Sequence, residues 1–373
     1  MAAKRRVQQC RIKFLRSLWC PFPLQFDTYQ GCSHDCGYCS AKLQRRTPFQ
    51  RTVHIARGLD DLKAQLSGKK FKAEYKLLQE GLTFQWGCVA DPFPAMEQKT
   101  RNSLNALRIF AHLKMPFIVC TKSVIPGQPE YMEQFKKMGD QFMLRMSMST
   151  LEDDLGKRLE PGAPLASERM ALTRALKERG HKSLLRVSPF IPEVTMPEVT
   201  VERAAEFLKK CKPNCGYVTF KLLNVDTRSR HFWWEPFFNN LGIDGKAWID
   251  KYAVEEIQPG AYGPSIPWRV HWMKTLREAA DQVGIRIGFE NTLGTFAEKM
   301  SDGVHCCDIG EPRLPFNPDA ITPMIAEGRI SNLEFKRTYS LPEDFYEGVR
   351  GDVQALAREA KSIQDKLKAG AAK

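Results

Sequence analysis

The sequence predicts an α/β fold: a parallel sheet forming a partial (β/α)6, TIM-like barrel, followed by a C-terminal α/β extension. Two observations lead there. Strand-like segments alternate with amphipathic helical ones from about residue 24 to residue 225, and parallel neighbours require such crossovers. One of these strands also alternates apolar and polar residues, which points to a polar interior. After residue 225 the texture changes and becomes dense in aromatics. The expected organisation is a basic N-terminal extension over 1–23, the barrel over 24–225, and an extension over 226–373 that covers the barrel or contacts substrate.

The elements follow in order. "LQFDTYQG" reads as the first strand and runs into a cysteine-bearing loop. "GLTFQWGCVADP" is the second strand. The helix after it carries Leu104, Leu107 and Ala111 on one face. "PFIVCTKS" and "QFMLRMSMST" are the third and fourth strands. The fourth places Phe142, Leu144, Met146 and Met148 on one side and Arg145, Ser147 and Ser149 on the other. An ordinary barrel core would be apolar inside; here the polar side implies a wet lumen, although a solvated edge strand would alternate in the same way. The helix "ASERMALTRALKERG" stops at Gly180, "KSLLRVSPFIP" is the fifth strand, and Val201, Ala204, Ala205 and Leu208 mark another helix. "GYVTFKLL" is the sixth strand. Beyond it come "HFWWEPFF", a helix at "WRVHWMKTLREAADQVG", a further strand at "IRIGFENTL", and a last helix with Val353, Leu356, Ala360, Ile363 and Leu367 in a stripe.

Composition limits the class. A chain of 373 residues with 43% hydrophobic content can bury a sizeable core. No apolar run approaches the ~18–20 residues of a membrane span, and the basic start has no signal-peptide core. The expectation is a soluble, cytoplasmic protein. Eleven cysteines in so long a chain are not a secreted disulfide framework. Isolated ones such as Cys10, Cys20 and Cys211 read as small buried hydrophobes. The net charge of +13 suits a polyanionic partner, or simply a basic enzyme.

The stretch "YQGCSHDCGYCSA" concentrates the chemistry. Cys32, Cys36 and Cys39 stand in a C-x3-C-x2-C spacing, with Gly31 and Gly37 permitting tight turns. Structural zinc takes four protein ligands, and His34 sits between two of the cysteines with little freedom to complete a tetrahedron. An ordinary four-iron cluster takes four cysteines. Three leave one iron open to a substrate.

This loop resembles the signature of the radical S-adenosylmethionine superfamily. Together with "GCVADPF", "VCTKS", "STLEDDLGKRLEPGAPLASERMALTRALKERG" and "RVSPFIP", taken in order, it resembles the spore photoproduct lyase-like branch over residues 24–225. The resemblance implies a 4Fe-4S cluster on Cys32, Cys36 and Cys39, with S-adenosylmethionine chelated to the open iron. It implies Lys122 at the cofactor carboxylate, Ser147 at its ribose or methionyl end, and Ala90 and Asp91 near its amino group. It also implies Cys88 as a hydrogen-atom donor to a product radical, with Tyr38 in the same relay. Cys120, which alternates onto the same face as Lys122, is a second candidate thiol. The chain departs from the lyases at Ala90, where they carry a hydroxyl, and at Ser40, where they carry an aromatic residue.

"CKPNC" and "HCCD" raise an auxiliary cluster on Cys211, Cys215, Cys306 and Cys307. The functional expectation is a radical enzyme, lyase or isomerase, acting on a nucleobase-type, thymine-derived substrate in DNA or on a nucleotide. An electron donor such as flavodoxin or ferredoxin is implied. The alternatives are a radical enzyme for a peptide or small metabolite, and a non-enzymatic iron–sulfur or zinc nucleic-acid-binding module.

Overall fold

A computed structural model describes residues 10–14, 24–45, 54–55, 59–68, 75, 78, 83–258, 260–290, 293 and 295–303. Its strands in chain order are β1 (Lys13–Phe14), β2 (Leu24–Phe26), β3 (Tyr29–Gln30), β4 (His54–Ile55), β5 (Phe84–Trp86), β6 (Phe117–Thr121), β7 (Phe142–Met148), β8 (Ser183–Phe190), β9 (Tyr217–Leu222), β10 (Val225–Asp226), β11 (Glu255–Gln258), β12 (Ala261–Gly263) and β13 (Arg286–Phe289). Eight of them form one sheet in the order β1-β2-β5-β6-β7-β8-β9-β13. All neighbours in it run parallel except the short antiparallel edge β1. β3 pairs with β4, and β10, β12 and β11 make a small second sheet.

All six expected strands are in this sheet. The further strand expected at "IRIGFENTL" is β13, and it pairs with β9 as a seventh parallel strand. The described part of the region after residue 225 therefore contributes a strand to the sheet itself. The first expected strand is split. The chain leaves the main sheet after Phe26, where buried Asp27 accepts the backbone N–H of Val89 at 3.4 Å, and pairs again as β3 with β4.

The two faces of the sheet differ as the alternation in β7 requires. Phe142, Leu144, Met146 and Met148 enter the main apolar core beneath the crossover helices. The Phe110 ring, from helix Asn102–Leu113, sits 5.2 Å from Phe26, 4.8 Å from Phe84 and 5.5 Å from Trp86. Truncating such a residue to alanine costs about 3–5 kcal/mol. On the other face Arg145, Ser147 and Ser149 are equally buried. Because β7 lies between β6 and β8, an edge strand with a solvated face is ruled out. Register aligns Gln25, Gln85, Ile118 and Met143 across four strands at the floor of this second face. Higher up, Cys120 lies beside Arg145, and Ser147 beside Arg186, which in turn lies beside Thr219.

Helix Ile266–Val283 shows how local sequence sets boundaries. Ser265 accepts the N–H of Trp268 at 3.5 Å and Pro267 occupies the first turn. Gly284, at φ +66°, closes the other end by donating to the carbonyl of Ala280 at 2.8 Å. Cys211 ends helix Val201–Cys211, and the Cys215 thiol donates to its carbonyl at 3.6 Å; both cysteines are core residues. Cys20, Cys306, Cys307 and the last expected helix lie outside the described residues.

Candidate active site

The cysteine loop follows β3 and is held from two sides. Gly31, at φ +89°, turns the chain out of the strand, and helix Ser40–Arg45 begins directly after Cys39. The Gly37 N–H donates to the Leu159 carbonyl at 2.9 Å, and the Gly162 N–H donates to the His34 carbonyl at 2.9 Å. Gly162 must be glycine, since a Cβ there would run into the carbonyl oxygen of Ser33. The segment Leu159 to Gly162, more than 120 residues along the chain, thus braces the loop from Ser33 to Gly37.

His34 is not spare. Its Nε2 lies 3.0 Å from an Asp91 carboxylate oxygen and its Nδ1 lies 3.1 Å from the Gly162 carbonyl. Burial disfavours its charge, but Asp91 outweighs that and raises its pKa. Asp91 in turn accepts the backbone N–H groups of Phe93 at 2.8 Å and Lys122 at 2.7 Å, and the Thr121 hydroxyl at 2.8 Å. Despite burial, His34 and these donors hold its carboxyl below the usual range. A carboxylate has about four acceptor sites, and these partners occupy them. The Asp91 side chain thereby joins the cysteine loop to the ends of β5 and β6.

Lys122, just past β6, turns inward. Its ammonium donates to Ser147 Oγ at 3.1 Å and to Glu160 Oε1 at 2.9 Å, and lies 5.5 Å from the centre of the Tyr38 ring. Glu160 is 1% exposed and is also met by Arg169 at 2.6 Å, by the Ser149 hydroxyl at 3.0 Å and by the Tyr38 hydroxyl. Burial opposes its charge, but Lys122 and Arg169 prevail and hold the carboxyl at about 2. Burial, then Glu160, pushes the Tyr38 phenol well up. An ammonium has three donors. Two are used here, which leaves one for an incoming carboxylate.

The three thiols fit the donor set of a three-cysteine cluster. Cys32 and Cys39 pack against Ala41 and Ala90, two small residues that leave room beside the sulfurs. Burial and then Asp91 push the Cys32 thiol up to about 12. Burial also raises Cys36, Lys122 pulls it down, and Glu160 and then the neighbouring thiols push it up further. A bound metal cation would favour the thiolate form that burial opposes. Among the described residues no three His, Cys, Asp or Glu side chains gather about a single metal ion. A cubane asks for something different, because each thiolate binds its own iron.

Ala90 packs beside Cys32 and Cys39. Cys88 is exposed at the end of β5, with its thiol 3.8 Å from the Gln85 carbonyl and 4.0 Å from the Gln85 side chain. The Tyr38 hydroxyl donates to Glu160 and accepts from Ser149, which ties Tyr38 to the Lys122 network. Cys120 faces the lumen, where Arg186 approaches its sulfur at 3.9 Å. Arg145 donates to Gln85 at 2.6 Å, and Lys221 pairs with Glu290 at 2.7 Å across β9 and β13.

Sequence reasoning missed Glu160, Arg169 and Ser149 as members of the site. The signal lay in "LEPGAPLASER": an acidic residue before Pro-Gly, inside a run already singled out, with an arginine nine residues on.

No protein-family model matches the chain. Among curated proteins it is 25% identical over 185 residues to an uncharacterized protein of Acidianus two-tailed virus, covering 48% of this chain and 60% of the viral one. It is 25% identical over 236 residues to an uncharacterized protein of Methanocaldococcus jannaschii, covering 61% of this chain and 82% of that one. It is 23% identical over 185 residues to an uncharacterized protein of Mycobacterium tuberculosis, covering 47% and 52% of the two chains. The chain thus spans 60% of the viral relative and about half of the mycobacterial one. Among solved structures, spore photoproduct lyase complexed with dinucleoside spore photoproduct superposes with a TM-score of 0.55 at 15% identity, covering 77% of this chain and 80% of that one. A mutant of the same lyase with bound AdoMet and dinucleoside spore photoproduct superposes with a TM-score of 0.56, over 74% and 78% of the two chains, again at 15% identity. The chain has the fold of spore photoproduct lyase.

Proposed function

We propose that this chain is a radical S-adenosylmethionine enzyme that takes a hydrogen atom from a nucleobase-type substrate, thymine-derived and carried in DNA. One observation carries the reading. Three cysteines on one loop stand beside an inward lysine with a donor to spare, at the C-terminal ends of parallel strands, where such sheets place their chemistry. The shared fold with spore photoproduct lyase supports it.

When bound, the cluster and S-adenosylmethionine supply an electron and a 5′-deoxyadenosyl radical able to abstract hydrogen. Cys32, Cys36 and Cys39 would hold the cluster. Lys122 would orient the cofactor carboxylate through a charge-assisted bond while Glu160 and Arg169 fix the lysine in place. Ser147, already bonded to Lys122, would meet the ribose or methionyl end. Ala90 would pack against the cluster. The row of Gln25, Gln85, Ile118 and Met143 closes the lumen below and excludes bulk water.

Arg145, Arg186 and Lys221 line the lumen on three successive strands and favour an anionic substrate such as a nucleotide. Cys88, at the open end of β5, is the candidate donor of a hydrogen atom in a lyase-type outcome. An isomerase-type outcome would need no such thiol. A flavodoxin- or ferredoxin-like protein would serve as reductant.

A second reading, a small zwitterionic metabolite as substrate, draws on the Lys221–Glu290 pair, which offers both charges side by side. Binding to duplex or single-stranded DNA separates the two. Affinity that falls steeply with salt supports the first; no DNA binding at low salt transfers the case to the second. Deuterium passing from a methyl-labelled thymine-derived substrate into 5′-deoxyadenosine would identify the abstraction site.

A further inference from the structure

The aromatic block after β10 folds onto the cysteine loop. Trp233, in the π-helical turn Arg230–Trp234, donates its indole N–H to the Gly37 carbonyl at 3.0 Å. Gly37 lies between two of the three ligand cysteines. The Phe237 ring rests on the Gly37 α-carbon, where an added Cβ would come within 2.6 Å of it. The Lys42 ammonium lies 5.3 Å from the Trp233 ring centre. Trp234 is buried behind this layer, and Phe238 stacks on Trp248 at 3.9 Å. The Trp248 indole is itself anchored on the Pro192 carbonyl at 3.0 Å. Cys36 and Tyr38 thereby belong to an apolar cluster, most of whose members come from residues 191–252.

We propose that Trp233 and Phe237 are positioning residues for the cluster: Trp233 fixes the Cys36–Cys39 turn in its ligating shape, and the two rings screen that turn from water and oxidants. This rests on the radical-enzyme reading above. Its physical basis is independent of substrate. A loop with glycines at residues 31 and 37 is intrinsically soft. Its three sulfurs must nevertheless keep one arrangement through a change of cluster charge. Outer hydrogen bonds orient ligands, and the apolar shell governs solvent access. Trp233 supplies the first directly to the ligand loop, and Phe237 with the layer behind it supplies the second.

The test compares Trp233→Phe, which keeps the ring and removes the donor, with Phe237→Leu, which keeps an apolar contact but narrows the cover. The full chain is reconstituted anaerobically with iron and sulfide. Three quantities are read: iron loss to a chelator, bleaching of the visible absorbance in air, and the electron paramagnetic resonance spectrum of the reduced cluster. Melting of the metal-free proteins reports folding. Trp233→Phe is expected to lose iron about fivefold faster, the size of one neutral hydrogen bond, and to give a broadened spectrum. Phe237→Leu is expected to bleach faster in air. Both metal-free variants should melt within a few degrees of the parent. Parent-like iron loss and spectrum in Trp233→Phe overturn the proposal, even if the parent holds a full cluster. If Trp233→Phe fails to fold, Phe237→Leu decides alone, and parent-like bleaching overturns it. A parent that assembles no cluster overturns the radical-enzyme reading itself, and the proposal with it.

Discussion

Replacing Glu160 with glutamine removes the charge on which the inner network converges while keeping its shape. Lys122 at 2.9 Å and Arg169 at 2.6 Å both lose their carboxylate, and Arg169 and residue 160 are each about 1% exposed. Removing one partner of a buried pair costs about 3–5 kcal/mol. The titration of the group gives a similar figure. A carboxyl held at about 2 against an ordinary 4.5 stabilises the fold by about 3 kcal/mol at neutral pH, at about 1.4 kcal/mol per pH unit. The sign follows from the depressed value. This contribution is complete above about pH 4.5 and is lost as pH falls through 2. Urea titration of the metal-free protein at pH 7 should therefore place Glu160→Gln about 3 kcal/mol below the parent, with the gap closing as pH is lowered towards 3. A variant within about 0.5 kcal/mol of the parent at pH 7, the range of an ordinary surface substitution, would refute the claim that this carboxylate organises the site.

Other substitutions probe the remaining parts. Gly162→Ala should press on the Ser33 carbonyl and lower the iron held after reconstitution, whereas Gly216→Ala, with open space around it, should leave iron content unchanged; equal iron in both would remove the bracing role of the 159–162 segment. Lys122→Met should keep iron and weaken S-adenosylmethionine binding by about 10–100-fold, the size of a hydrogen bond to a charged group; calorimetry on the reconstituted protein reads this directly, and unaltered affinity would take Lys122 out of the cofactor site. Cys88→Ala should leave hydrogen abstraction intact and shift the substrate radical to aberrant products if the outcome is lyase-like. An unchanged product distribution would favour the isomerase-like outcome and remove Cys88 from the chemistry.

The fold was legible because its signals are local. Alternation within β7 places Arg145, Ser147 and Ser149 opposite the core, and the order of strands and helices dictates the parallel sheet. The cysteine triplet stands out for the same reason, since its spacing falls within eight residues. What could not be read were the partners. Glu160 reaches Tyr38 across 122 positions, Trp233 reaches Gly37 across 196, and Asp91 reaches His34 across 57. Nothing in a one-dimensional pattern says that "LEPG" returns to the cysteine loop. The same holds for Asp91, whose ties to His34, Thr121 and two backbone N–H groups run between segments far apart in the chain. The aromatic block was legible as a dense stretch after residue 225, but not which of its rings turn inward, and the structure divides it. Phe232 stays 70% exposed, while Trp233 and Phe237 turn onto the loop.

The central claim is that Cys32, Cys36 and Cys39 hold a cluster that cleaves S-adenosylmethionine. The direct measurement is release of 5′-deoxyadenosine by the anaerobically reconstituted, dithionite-reduced protein, with Cys36→Ala beside it. The account predicts release by the parent and none by Cys36→Ala. No release from a parent that carries a full complement of iron and sulfide, or equal release by the variant, would contradict it.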